Sequence, residues 1–229
     1  MARRLYELVG EDPARRFSPY CWRIRMALAH KGLAAECVPW RFTEGAALGF
    51  SGQDKVPVLV DGDRVVSDSW AIAAYLEAAY PERPALFAGG DARPARFLAA
   101  WADTVLNGAL ARLIVSDIPR WLAPGQAAYF RRSREARFGM SLEALTEGRE
   151  ERLPAFRANM APLRLVLREQ PFLGGARPDY GDYAVLGSLQ WARCVSELSL
   201  FESGDPILAW RERMLDLFGG LARDVPHCG

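Results

Sequence analysis

The sequence predicts an α/β unit in its first third and an all-helical domain after it. Short β-rich runs, one of them built around Asp-Gly, are concentrated before residue 67. A stretch dense in Pro and Gly follows, "PERPALFAGGDARP" at 81–94, with the composition of a linker. Beyond it strand signals fade and apolar residues recur at helical spacing. These observations divide the chain into 1–82 and 93–229.

The elements follow in order. "LYELV" (5–9) reads as a short strand. Ser18 as cap, Pro19 at the first helical position and Gly32 as stop make 18–32 a helix, with His30 and Lys31 well placed in its last turn. "AECVPWRF" (35–42) is a second strand, and Pro39, lacking an N–H, assigns it to an edge or a bulge. "KVPVLVDGDRVV" (55–66) is a hairpin turning at Asp61-Gly62. "SDSWAIAAYLEAAYP" (67–81) is a helix with Ile72, Leu76 and Ala79 on its apolar face and Pro81 beyond its end. In the remainder, 95–115 and 147–170 have helical spacing, with Pro154 and Pro162 kinking or bounding the second. The segment 178–198 opens on Asp179 and Asp182 in capping-box spacing, and 205–220 ends in Gly.

Composition excludes several classes of partner. With 229 residues, half of them hydrophobic and a formal net charge of +1, the chain has a sizeable core and no global field toward nucleic acid or an acidic membrane. The arginine-rich run "YFRRSREARF" (129–138) is interrupted by Glu135 and reads as a solvated helix face. No run approaches the roughly 20 apolar residues of a membrane span. Four scattered cysteines, and an N-terminus interrupted by Glu7, Glu11 and Asp12, read as a cytoplasmic protein with reduced thiols. His30 and His227 are the only histidines, and no metal site is expected.

Three short stretches could carry chemistry. Ser18 by local evidence is a plain helix cap; the functional reading is that the helix N-terminus and the hydroxyl together stabilise an anion such as a thiolate. "SPYC" has the form of a C-x-x-C redox motif with the first cysteine replaced, so it cannot form its own disulfide but could activate an external thiol. Cys21, inside the helix, reads as a small buried apolar residue. Val56-Pro57 begins the hairpin. Asp68 and Ser69 open the next helix and, besides capping it, offer an acceptor for an ammonium group and a donor for a carboxylate.

Together these features resemble the glutathione transferase superfamily over nearly the whole chain. The likeness is nearest to the bacterial glutathione-dependent β-aryl etherases, on "SPYCWRIRMALAHKGL", "VPVLVDGDRVVSDSWAIAAYLEAAYPERPALF", "GREERLP" and "DLFGGLAR". It implies a thioredoxin-like glutathione-binding domain at 1–82 and an all-helical domain at 93–229 holding the second-substrate pocket. It implies that Ser18 is catalytic and hydrogen-bonds the glutathione sulfur. Val56 would pair its backbone with the cysteinyl unit beside a cis-Pro57, Asp68 and Ser69 would hold the γ-glutamyl end, and Lys55 would reach the glycyl carboxylate. Trp101, otherwise a core residue, and Asn107 would line the pocket for a hydrophobic aromatic electrophile. A homodimer is expected on the same ground. "CWRIRMAL" also resembles the maleylacetoacetate isomerase class, and the superfamily includes non-catalytic binding modules. The chain stops at "DVPHCG", earlier than the etherases, which predicts a more open pocket.

Overall fold

The computed structural model describes residues 3–228. Four strands, β1 (Arg3–Leu8), β2 (Ala35–Trp40), β3 (Val58–Asp61) and β4 (Arg64–Ser67), form one sheet in the order β2-β1-β3-β4. β1 runs parallel to β2 and antiparallel to β3, and β3 pairs antiparallel with β4. Parallel neighbours need a crossover, and α1 (Pro19–His30) supplies it. β2 lies at the sheet edge, where the missing N–H of Pro39 costs no ladder bond. Gly62, at φ 60°, takes the turn position of the β3–β4 hairpin that other residues avoid. α2 (Ser69–Ala79) closes the unit.

One expectation for α2 is corrected. Ile72 and Leu76 are fully buried, but Ala79 is exposed, and Ala73 takes its place on the inner face. At the end of the helix it is Tyr80, through its carbonyl, and not Ala79 that joins Lys31 of the α1 terminus. Lys31 caps α1 and is itself buried, its Nζ 2.8 Å from Glu77 Oε2 and donating to the Tyr80 carbonyl at 3.1 Å. Glu77 also accepts from the Leu86 N–H at 2.9 Å, tying the connecting segment to α2.

The helical part begins with α3 (Ala92–Trp101), a π-helical stretch at Ala102–Leu106 and α4 (Asn107–Ile114). The sequence predicts one uniform helix here; the π stretch adds a wider turn, a feature common near functional sites. Contrary to the expectation that no run is long and apolar enough for a membrane span, the continuous helical stretch Ala92–Trp121 meets that length and apolarity. Half of its most apolar window is buried inside the protein, where a core helix belongs. Next come α5 (Pro124–Phe138), α6 (Leu142–Thr146), α7 (Leu153–Asn159) and α8 (Ala161–Glu169). Pro154 and Pro162 sit in the first turns of α7 and α8, so the prolines divide the expected 147–170 helix. Along α5, Phe130 is buried and Arg134 half-buried, so the run 129–138 is only in part a solvated face.

α9 (Tyr180–Val195) is the axis of the molecule, with every residue but Trp191 buried. Its start is a reciprocal capping box between Asp179 and Asp182. Asp182 further accepts from the Leu173 N–H (2.8 Å), the Gly174 N–H (2.9 Å) and Trp210 Nε1 (2.8 Å). Trp210 belongs to α10 (Pro206–Gly220), whose helical geometry breaks at Leu217–Gly219. α9 packs more extensively on α1 than on any other element. Gly187 makes this possible, because a Cβ there would run into the Pro19 carbonyl.

Candidate functional site

Sheet register gathers the candidate residues. The last turn-ward pairs are Tyr6 with Val58 and Val58 with Ser67. The end of β1, the start of β3 and the end of β4 therefore share one end of the sheet. From it emerge the segment leading to Ser18, the Val56-Pro57 step and the Asp68-Ser69 corner. Residues about 50 apart in sequence are carried to the same end because antiparallel pairing returns the chain there.

The segment carrying Ser18 is pinned at Arg16. Arg16 forms an isolated antiparallel bridge with Val9, accepts from Trp22 Nε1 through its carbonyl at 2.9 Å, and extends its guanidinium to Glu7. Glu7 is fully buried and also accepts from Arg25 Nη1 at 2.8 Å. Two residues on, Ser18 has extended backbone (φ −69°, ψ 122°), caps α1, and accepts from the Cys21 N–H at 3.3 Å through Oγ. That bond uses an acceptor lone pair and leaves the O–H free to donate. Capping and thiolate stabilisation are thus compatible roles for one hydroxyl. Ser18 is 5% exposed, so such a donation takes place in a partly dry site. Burial, and next the Glu7 charge, push the Cys21 thiol up to about 12. Cys21 is accordingly a protonated core residue.

Val56-Pro57 is a cis peptide, with Pro57 buried at the mouth of β3. Asp68 holds an unusual backbone for a residue with a side chain (φ 75°, ψ 131°), at a cost of about 1–3 kcal/mol. Its Oδ1 accepts from the Trp70 and Ala71 N–H groups at 2.9 and 3.0 Å. The residue is exposed, and Oδ2 has no hydrogen-bond partner among the described residues. Ser69 is buried, and its carbonyl accepts from the Tyr180 hydroxyl at 2.9 Å. Lys55 is exposed and has no ion pair among the described residues, whereas Lys31, the other lysine, is committed to Glu77.

The helical side presents further polar groups. Asn107 lies by the Tyr20 hydroxyl in the first turn of α1, yet neither of its buried amide atoms completes a hydrogen bond among the described residues. Trp101 is half-buried and packs on the core, with no polar partner among them. The structure adds Tyr20, Arg23 and Asp103, which sequence reasoning missed. Arg23 is buried, pairs with Asp103 at 2.6 Å and stands over the Tyr20 ring. Their only sequence signal is the i, i+3 spacing of Tyr20 and Arg23 just after Ser18. Two surface clefts, of ≈ 380 and ≈ 500 Å³, lie elsewhere on the helical part and include none of these residues.

Residues 94–210 match the family model of the glutathione S-transferase C-terminal domain, and 17–79 that of the N-terminal domain. The chain belongs to the glutathione S-transferase family. The N-terminal match contains Ser18, Lys55, Val56, Pro57, Asp68 and Ser69; the C-terminal match contains Trp101 and Asn107. A zeta class glutathione S-transferase of Euphorbia esula is 46% identical over 70 residues, 28% of this chain. The chain spans 31% of the length of that relative, and the same share of glutathione S-transferase Z1 of Arabidopsis thaliana, at 44% identity. Among solved structures, a glutathione S-transferase of Ceriporiopsis subvermispora in complex with glutathione superposes with a TM-score of 0.82. It is 25% identical, with 99% of each chain covered. The glutathione transferase GSTFuA2 of Phanerochaete chrysosporium superposes at 0.76, with 26% identity over 96% of this chain and 93% of that one.

Proposed function

We propose that the protein is a glutathione transferase that activates the glutathione thiol for attack on an electrophilic carbon of an aromatic substrate. The observation that carries this reading is the convergence of Ser18, cis Val56-Pro57 and Asp68-Ser69 at one end of the sheet. Val56 pairs its backbone with the cysteinyl unit of the tripeptide. Asp68 Oδ2 and the Ser69 hydroxyl take the γ-glutamyl ammonium and carboxylate, and Lys55 takes the glycyl carboxylate. The sulfur then lies at the N-terminus of α1, where the Ser18 O–H and the helix dipole favour the thiolate. Each unit by which the bound thiol pKa falls corresponds to about 1.4 kcal/mol.

In the finer version of this reading the electrophile is a β-aryl ether ketone. Thiolate attacks the carbon bearing the aryloxy group, that C–O bond breaks, phenolate leaves with the electron pair, and a glutathione thioether remains. The likeness of "GREERLP" and "DLFGGLAR" to the etherases supports it. The zeta class relatives favour a second reading, a maleylacetoacetate-type isomerase that uses glutathione without consuming it. A homodimer accompanies both readings; light scattering near the single-chain 25.4 kDa would count against it.

One screen separates the readings. The protein is incubated with glutathione and, in turn, a β-aryl ether ketone, chlorodinitrobenzene and maleylacetoacetate. Phenol release with thioether formation supports the etherase version, conjugation of chlorodinitrobenzene alone leaves the broader transferase, and isomerisation without thiol loss supports the second reading. Calorimetry with Asp68→Asn, which keeps the cap acceptor and removes the charge, should show glutathione affinity falling about tenfold. Unchanged affinity removes Asp68 from the site.

A further inference from the structure

The arginine run on α5 has a feature that capping, packing and the glutathione site leave unexplained. The guanidinium of Arg134 stands over the rings of Phe130 and Phe42, at 5.0 and 5.6 Å. Its one hydrogen bond among the described residues goes to Ser133 Oγ at 3.0 Å. No carboxylate pairs with it or with Arg137 among those residues. The contrast lies one turn away, where Arg131 is held by Glu135 and Glu143 at 3.0 and 2.8 Å. Cation–π contact offsets part of the cost of a half-buried, unpaired guanidinium, but only an anion supplies its charge-assisted hydrogen bonds.

An aromatic path leads from this cation toward Ser18. Phe42, just beyond β2, contacts Phe17 at 6.4 Å, and Phe17 directly precedes Ser18. Phe42 also stacks on Tyr129 at 6.4 Å and 26°, and Tyr129 is partly open to solvent. Arg137, one turn further along α5 on the same face as Arg134, is exposed. Asp103, the acid beside Tyr20, is already committed to Arg23.

We propose that Arg134, with Arg137 at the rim, binds an anionic group on the second substrate, making the preferred electrophile an aromatic carboxylate whose ring lies against Phe42 and Tyr129. This rests on the transferase reading for its location, but the anion subsite is a property of α5 itself. A β-aryl ether bearing a carboxylate is one substrate of this class.

The test uses matched probes. Conjugation of glutathione to 4-chloro-3,5-dinitrobenzoate and to neutral chlorodinitrobenzene is measured for the native protein, Arg134→Met and Arg134→Lys. Methionine keeps the aliphatic contact with Phe42 and Phe130, and thermal unfolding checks that each variant folds. The native protein should show a higher kcat/KM for the carboxylate. Arg134→Met should lower that value at least tenfold, mainly through KM, and affect the neutral substrate several-fold less; Arg134→Lys should recover part of the loss. Equal losses on both substrates overturn the proposal and leave the transferase reading intact. Calorimetry with unreactive 3,5-dinitrobenzoate and 1,3-dinitrobenzene, without glutathione, reads the subsite independently of turnover. Carboxylate-selective binding that Arg134→Met abolishes supports the subsite even where neither substrate is conjugated. Equal binding of the two probes sinks it.

Discussion

The Tyr180 hydroxyl donates to the Ser69 carbonyl at 2.9 Å, in the buried seam between the helical domain and the sheet domain. Burial pushes the Tyr180 hydroxyl up to about 12, so it remains a donor across the neutral range. The bond attaches the first residue of α9 to the corner where Asp68 holds its unusual backbone. Tyr180→Phe should cost about 1 kcal/mol of stability, one net hydrogen bond. It should also raise KM for glutathione more than it changes kcat, because it loosens the binding corner and leaves Ser18 in place. Steady-state kinetics at saturating second substrate decides; a fall in kcat alone contradicts this view.

Ser18→Ala removes a helix cap, worth ~1 kcal/mol in urea denaturation. If the hydroxyl also donates to sulfur, the bound thiol pKa rises as well. Thiolate absorbance of the glutathione complex, titrated in native and variant protein, reads this directly. Superimposable curves would leave Ser18 a cap and nothing more.

Glu7 is an internal control for how the segment before Ser18 is held. Glu7→Ala would leave Arg16 and Arg25 without their shared carboxylate. The cost should be about 3 kcal/mol, the low end for a broken buried pair, because both arginines keep some contact with water. Activity should fall beyond the loss of folded protein, since Arg16 pins the chain two residues before Ser18. Equilibrium denaturation alongside kcat at full folding separates the two effects.

Cysteine chemistry should follow burial. Cys21 and Cys194 are both pushed up to about 12 by burial, from 9.0. Below pH 9 folded and unfolded chains both hold these protons. As pH rises from 9 toward 12 the unfolded chain releases them first, so stability falls by about 1.4 kcal/mol per pH unit for each thiol. Iodoacetamide labelling followed by mass spectrometry should modify the half-buried Cys228 well before Cys21 or Cys194. Early labelling of Cys21 in the folded protein would contradict the buried-thiol assignment.

Gly187→Ala should destabilise by roughly 1–3 kcal/mol, the range for overpacking, because its Cβ meets the Pro19 carbonyl and pushes on the start of α1. Gly125, exposed in the first turn of α5 with open space around its Cβ position, is the contrast. Gly125→Ala should be neutral or stabilising by up to about 1 kcal/mol. Thermal melts of the two variants compare them.

The sequence by itself determined the order of elements in the first third, an edge or bulge for the Pro39 strand, the Asp61-Gly62 hairpin, and the caps at Ser18, Asp68 and Asp179. Each depends on local chemistry, a missing N–H, a short acceptor side chain or a tolerated positive φ, and local chemistry is written along the chain. Tertiary structure alone decided which alanine completes the buried face of α2 begun by Ile72 and Leu76, because Ala73 and Ala79 are equally apolar and only packing distinguishes them. It alone separated the two lysines, placing Lys31 against Glu77 and leaving Lys55 free of an ion pair among the described residues. It also set Arg23 on Asp103 and Arg134 over Phe42, across separations of 80 residues or more. Such pairings follow from the sheet register and the packing of α1 on α9, which no short window of sequence contains.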